Sequence, residues 1–335
     1  MTTEVSNKIS NMSIVCAFCV VLIHCRPQFE MGTFSWWMKQ MTEEGVCTVA
    51  VPFFFLVSGL MLSRHINENG WYIRENRKRL FSLLWPYLLW LTLYFVYGCV
   101  LNKFCGFTFA LNDITLFYGL HYGEFPGLSP LWFIRGLLIL FALSPLLILV
   151  SKFKYVGLLI LFIIYGIVCP GPNGEGWVHS LTRNGILPIA GVFYFTTGLV
   201  IGQHPIRITL TRCHSVFFLS VGLLLSFMQA TFHYLHINQW AQYWGMWAIP
   251  FMMIGMWGLI PNKPWPKWLT SASFPIFLMH KFLFPSSLAN LNTVLECGIF
   301  GCITVAVLVF GLSLCATTLF RKVMPKVARF CFGGR

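Results

Sequence analysis

The stretch VCTVAVPFFFLVSGLMLS, residues 46–63, runs for eighteen positions without a charged side chain. An α-helix needs about 20 apolar residues to cross the hydrocarbon of a bilayer. A run of this kind is either such a span or the buried core helix of a soluble protein, and the neighbouring sequence decides. Comparable apolar runs recur in both directions, and the segments between them are too short to fold around a core of their own. The 335 residues are 57% hydrophobic and only 10% charged, against about 25% charged in a soluble domain. So few charges cannot cover a water-facing surface, so most of the surface faces lipid.

The pattern predicts an all-α fold, a polytopic membrane helix bundle of about ten spans in one domain over residues 1–335. The spans fall near 9–25, 46–63, 80–101, 130–150, 155–169, 185–203, 214–232, 242–260, 273–292 and 295–319. The fifth stops at Cys169-Pro170-Gly171-Pro172, a sequence no helix continues through. The first lacks a small-residue cleavage site and is expected to be a span, not a removed leader. The longest loops are expected near 26–45 and 102–129.

The net charge of +13 admits an anionic polymer or an anionic surface as partner, and its distribution favours the surface. With the N-terminus inside, seventeen of the 23 Lys and Arg fall in inner segments, which predicts cytoplasmic N- and C-termini. No basic face is interleaved with exposed aromatics, which excludes nucleic acid and leaves the lipid bilayer. Thirteen Trp and eleven Tyr suit interfacial belts. The twelve Cys lie mostly inside apolar runs as small hydrophobes, the Cys16–Cys19 pair included.

Ionisable groups within a membrane are costly and tend to face an interior cavity. Here they are His24, Arg135, His280 and Lys281. The topology places the first three in the outer half of the bilayer. His24 suits a general base, because imidazole titrates near neutrality and apolar neighbours keep it uncharged. Arg135 and His280 are candidates for orienting the base or stabilising the oxyanion. Plainer roles fit the same positions: a hydrogen-bonded histidine at a helix end, an arginine snorkelling to headgroups. Before the third span, Arg74-Glu75-Asn76-Arg77-Lys78-Arg79 offers guanidinium groups that could grip phosphates, although positive-inside topology alone would also produce such a cluster. His233 and His236 have no third ligand nearby, so no metal is expected. A transporter or flippase for a glycan or lipid-linked intermediate would share the helix count and charge bias. The two halves, however, lack the matching interrupted helices that inverted repeats produce.

Several of these segments resemble the acyltransferase-3 family of bacterial integral membrane O-acyltransferases. Val51 to Gly59, VPFFFLVSG, is similar to its second-helix signature. Arg77-Lys78-Arg79-Leu80 followed by Trp85-Pro86-Tyr87-Leu88-Leu89-Trp90 resembles its third-helix entry. Leu131-Trp132-Phe133-Ile134-Arg135 resembles the start of its fourth span, and Ser273 to His280, SFPIFLMH, its late helix ending in His. Val20-Val21-Leu22-Ile23-His24 resembles the helix that carries the family's catalytic histidine. These segments run in family order over about 8–285.

The resemblance implies an O-acetyltransferase of the bacterial inner membrane. It would take acetyl-CoA or another acyl-CoA as donor, with no permanently bound cofactor, and a sugar or cell-envelope glycan as acceptor. His24 would be the essential histidine. Arg74, Arg77, Lys78 and Arg79 would bind the donor; Arg74 and Arg77 match the three-residue spacing of the family's paired arginines, while Arg79 better fits the distance to Pro86. Many members carry an arginine eleven positions before the histidine; Ser13 stands there here, so either another group such as Lys8 substitutes or the chain is a divergent branch.

Overall fold

A computed structural model describes residues 2–24, 29–105, 129–168, 188–205, 210–282 and 298–334. Among them there are helices and turns and no strand, so the protein is an all-α membrane helix bundle. Among the described residues, five helices are long and apolar enough to cross a membrane: Thr3–Ile23, Phe34–Leu62, Trp71–Tyr97, Arg212–Tyr234 and Gly298–Val323. A bent pair, Trp132–Ala142 with Ser144–Ser151, makes a sixth if it counts as one span. Two shorter apolar helices, Lys154–Val168 and Ile189–Gln203, coincide with the expected fifth and sixth spans. The loop at 106–128, the stop at 169–172 and the second half of the ninth expected span lie outside the described residues.

The chain divides into two compact units, Met1–Val57 with Ile206–Leu319, and Ser58–Pro205 with Phe320–Arg335. The first unit opens with α1 (Thr3–Ile23), capped by the Thr2 hydroxyl, which accepts from the Val5 amide at 3.4 Å. Met12, Cys16, Ala17 and Val21 recur along α1 at helical spacing and are fully buried. Residues 34–45, expected as part of a loop, are helical instead. They form α2 (Phe34–Lys39), a π-helical segment Gln40–Gly45 and a 3-10 turn Val46–Val49 that leads into α3 (Ala50–Leu62). Thr33 caps α2 through its hydroxyl. Trp37 stacks on Phe227, and Trp36 meets Tyr234 edge to face. A cap and aromatic packing thus override the polar composition of this stretch.

The partners of those tryptophans lie on α10 (Arg212–Tyr234), which pairs antiparallel with α11 (Asn238–Leu259). Glycines set the close approach: a Cβ on Gly255 would come within 2.6 Å of the Leu219 amide nitrogen. A proline-rich turn then leads to α12 (Lys267–Thr270) and α13 (Ser273–Met279), both packed on α1. Most of α14 (Gly298–Val323) completes the unit, with Phe310 edge to face against Phe18 of α1.

In the second unit, α4 (Trp71–Arg79) replaces the expected inner loop. The run contains no Gly or Pro, and Glu75 pairs with Lys78 and Arg79 at i+3 and i+4, spacings that stabilise a helix. A π-helical turn, Leu80–Leu84, joins it to α5 (Trp85–Cys105). Pro86 has no N–H to give the carbonyl four residues earlier, which accounts for the widened turn. The fourth expected span is not one straight helix. It breaks by 69° between α6 (Trp132–Ala142) and α7 (Ser144–Ser151), where Pro145 interrupts the ladder and the buried Ser144 hydroxyl donates to the Phe141 carbonyl at 2.6 Å. Helices α8 (Lys154–Val168) and α9 (Ile189–Gln203) follow. The C-terminal α15 (Pro325–Cys331) returns to α5, where the indoles of Trp85 and Trp90 donate to the carbonyls of Phe330 and Cys331.

Candidate functional site

In the first unit α1 ends at Ile23, and His24 caps it with its own amide donating to the Val21 carbonyl at 3.1 Å. The chain then leaves the helix, so the half-buried imidazole projects from the end of a long, packed rod. His280 terminates α13 in the same way and is fully buried. The two rings meet with centroids 5.1 Å apart and planes tilted by 32°. Residues 256 positions apart in sequence are therefore neighbours.

The environment of His280 fixes its tautomer. Its Nδ1 lies 3.1 Å from the Ile276 carbonyl, and a carbonyl can only accept, so Nδ1 carries the proton. Nε2 is then the basic nitrogen. It is buried, with no hydrogen-bond partner among the described residues. An unmet acceptor in an apolar interior is costly, and here it sits beside a second imidazole.

Arg135, the third residue expected at this point, belongs to the second unit. It lies in the first turns of α6, half-buried, within electrostatic range of the Tyr87 hydroxyl on α5. The structure thus brings His24 and His280 together within the first unit, and Arg135 stands in the second beside Tyr87. Lys8, the candidate replacement for the missing arginine, is committed elsewhere: its ammonium donates to the Trp257 carbonyl at 2.9 Å and lies over the Trp257 ring.

The basic cluster resolves into two faces of α4. Gly70, in the left-handed region at φ +67°, starts the helix and leaves open space beside it. A groove of about 540 Å³ is lined by Gly70, Ile73, Arg74, Arg77 and Lys78. Its floor is apolar, with Ile73 74% exposed, and cations rim it. Arg79 points away. Its guanidinium stacks 4.5 Å over the Phe141 ring and donates to Glu75 at 3.2 Å. Glu75 is only 2% exposed and also receives Lys78 at 2.6 Å. On the far side of Gly70, the Glu68 carboxylate pairs with Arg74 and with His65, whose Nδ1 is 2.8 Å away. The hydrogen bond from His65, with Arg74 nearby, holds the Glu68 carboxyl below its usual range. Arg77 makes no salt bridge among the described residues. Sequence reasoning gave Arg79 the same role as its neighbours; the i, i+4 spacing to Glu75 was the signal that it turns inward.

Among the described residues no group of three or more His, Cys, Asp or Glu could hold a metal ion. His233 and His236 close the end of α10, where the His236 amide donates to the His233 carbonyl.

A helical membrane protein with two imidazoles paired in its interior and a cation-rimmed groove has the equipment of a membrane-embedded group-transfer protein. Residues 8–321 match the family model described as an acyltransferase domain, and the chain belongs to that family, acyltransferase-3. The chain is similar to the succinoglycan biosynthesis protein ExoH of Rhizobium meliloti (strain 1021), at 27% identity over 222 residues. That similarity covers 62% of this chain and 57% of the relative. No solved structure matches.

Proposed function

We propose that the protein is a membrane-bound O-acyltransferase of the bacterial inner membrane, with both termini cytoplasmic. It moves an acyl group, acetyl in our reading, from acyl-CoA to a hydroxyl of a sugar or cell-envelope glycan. Family membership supports acyl transfer, and a relative named for succinoglycan biosynthesis supports a glycan acceptor. The observation that carries the reading is the histidine pair.

His24 removes the proton from the acceptor hydroxyl as its oxygen attacks the thioester carbonyl. The tetrahedral intermediate collapses with cleavage of the carbon–sulfur bond. The CoA thiolate leaves and takes back the proton from the His24 imidazolium, so the products are an O-acyl glycan and free CoA. The basic Nε2 of His280, held by the Nδ1–H bond to Ile276, orients the neighbouring imidazole. Burial in the bundle keeps water from the thioester. No step is assigned to Arg135.

Arg74, Arg77 and Lys78 bind the donor phosphates, and Ile73 offers an apolar surface between them. Arg79 is structural. Arg77→Ala is expected to raise the KM for acyl-CoA about tenfold with kcat little changed, since a hydrogen bond to a charged group contributes ~1.5 kcal/mol or more. Arg79→Ala is expected to lower the unfolding temperature in detergent and to leave that KM near wild type. Steady-state kinetics in membranes with matched protein levels checks both; an unchanged KM in Arg77→Ala would remove the donor site from α4.

The whole reading is tested by incubating the purified protein with labelled acetyl-CoA and envelope glycan. Ester-linked label on the glycan is expected. Label that stays on CoA with every glycan and every acyl donor tried would overturn it.

A further inference from the structure

The other end of α1 carries a second buried device. Asn11 is fully buried, thirteen residues before His24, so the two are separated by about 20 Å of helix. Both donors of its side-chain amide and its carbonyl oxygen are engaged by one short turn. Nδ2 donates to the carbonyls of Pro261 at 3.1 Å and Lys263 at 2.8 Å, and Oδ1 accepts from the Trp265 amide at 3.1 Å. Around it, Asn7 donates to the Asn262 carbonyl and Lys8 to that of Trp257.

That turn cannot pair its own backbone as a helix does. Residues 261–266 read PNKPWP, and three prolines remove three amide donors and forbid a helical ladder. Most of the turn is exposed, and water can pair its outward groups, but the carbonyls of Pro261 and Lys263 turn inward to the fully buried Asn11. A single asparagine on α1 supplies what the turn cannot, and α1 gains a fixed attachment. From the turn the chain runs through α12 and α13, both packed along α1, to His280. One strap is therefore anchored to α1 twice, by Asn11 at its start and by the facing imidazoles at its end. A slip of one residue along α1 would shift it about 1.5 Å and turn it about 100°, which would carry His24 off His280.

We infer that Asn11 is a positioning residue. Its three hydrogen bonds to the 261–265 turn set the register of α1 against α13 and so hold His24 against His280. The inference rests on the proton-transfer role proposed for His24, but the pairing it explains can be read without any activity.

The informative variant is Asn11→Asp, which keeps the shape and the acceptor for Trp265 but faces two carbonyls with an oxygen. In full-length, cysteine-free protein carrying His24→Cys and His280→Cys, oxidative crosslinking of positions 24 and 280 is followed by mass spectrometry. The yield is expected to fall severalfold with Asn11→Asp and to recover in part with Asn11→Gln, which keeps the amide. A control pair, Ser226→Cys with Met252→Cys on α10 and α11, should crosslink equally in all of them. If the control is lost with Asn11→Asp, the comparison is made between Asn11→Gln and Asn11→Ser instead. An undiminished 24–280 yield without the amide overturns the inference. In the otherwise native enzyme, Asn11→Asp should lower kcat about tenfold or more, as misplacement of a reacting group by ~1 Å does, with the KM for the donor unchanged. A lost crosslink with intact turnover would leave the register lock standing and sink the catalytic role of the histidine pair.

Discussion

Membranes carrying His24→Ala, with protein matched to wild type, are expected to transfer acetyl groups about 10²–10⁴-fold more slowly, the usual contribution of a positioned general base. The fold should survive, because His24 is half-buried at a helix end and caps α1 through its backbone amide, which alanine retains. His280→Ala should cost activity as well, but it also empties a fully buried site, so its unfolding temperature has to be measured beside its rate. If one ring orients the other, the double variant should be little slower than His24→Ala alone, since residues acting as a unit are strongly non-additive. Unimpaired transfer by His24→Ala would end the mechanism. Two independent additive losses would instead separate the rings into unrelated roles.

The reasons for pairing these histidines lay partly in the sequence. Both end apolar runs, and an ionisable group there is conspicuous because lipid penalises it. Their 5.1 Å contact was not legible, since it depends on how α13 lies along α1. The position that sets that lie, Asn11, looks in the sequence like one polar residue near a helix start. Only the proline-rich turn it satisfies, 250 residues away, gives it meaning. Arg135 belongs to the second unit, and its expected depth in the bilayer says nothing about which neighbours its side chain has.

Helix length was similarly divided. Among the described residues, five of the ten expected spans coincide with helices long and apolar enough to cross a membrane, because hydrophobicity acts locally and needs no partner. The helices at 34–39 and 71–79 escaped because their composition is polar or interfacial, and what stabilises them is a Thr33 cap, stacked tryptophans and the Glu75 ion pairs. The 69° break at Leu143 was foreshadowed by Ser144-Pro145, yet the hydropathy of 130–150 runs through it unchanged.

Gly59→Val should prevent the protein from reaching a folded state that survives detergent. Gly59 ends the VPFFFLVSG signature on α3, and a Cβ there would overlap the Phe195 carbonyl oxygen of α9, 2.9 Å from its carbonyl carbon and 3.2 Å from the Leu199 amide nitrogen. These are backbone atoms, so no rotamer change relieves the clash and the helices must part. One turn further on, just past the end of α3, Ser63 meets Gly202 of α9, where a Cβ would lie 2.7 Å from the serine Cβ. The two helices thus cross through small residues at both points. In lipid, where hydrophobicity does not drive helices together, such close van der Waals contact is a main source of association. Magnitudes decide the sign even for alanine. Replacing glycine gains ~1 kcal/mol of helix propensity, whereas overpacking a tight contact costs about 1–3 kcal/mol, so Gly59→Ala should lower the unfolding temperature and Gly59→Val, with two more methyl groups in the same gap, should lower it further. Gly311 of α14 supplies the comparison: a Cβ there meets nothing within 4 Å, so Gly311→Ala should be neutral or stabilising. Thermal unfolding in detergent, followed by tryptophan fluorescence and size-exclusion, separates the cases. A Gly59→Val protein as heat-stable as Gly311→Ala would show that α3 and α9 do not meet as closely as their glycines require.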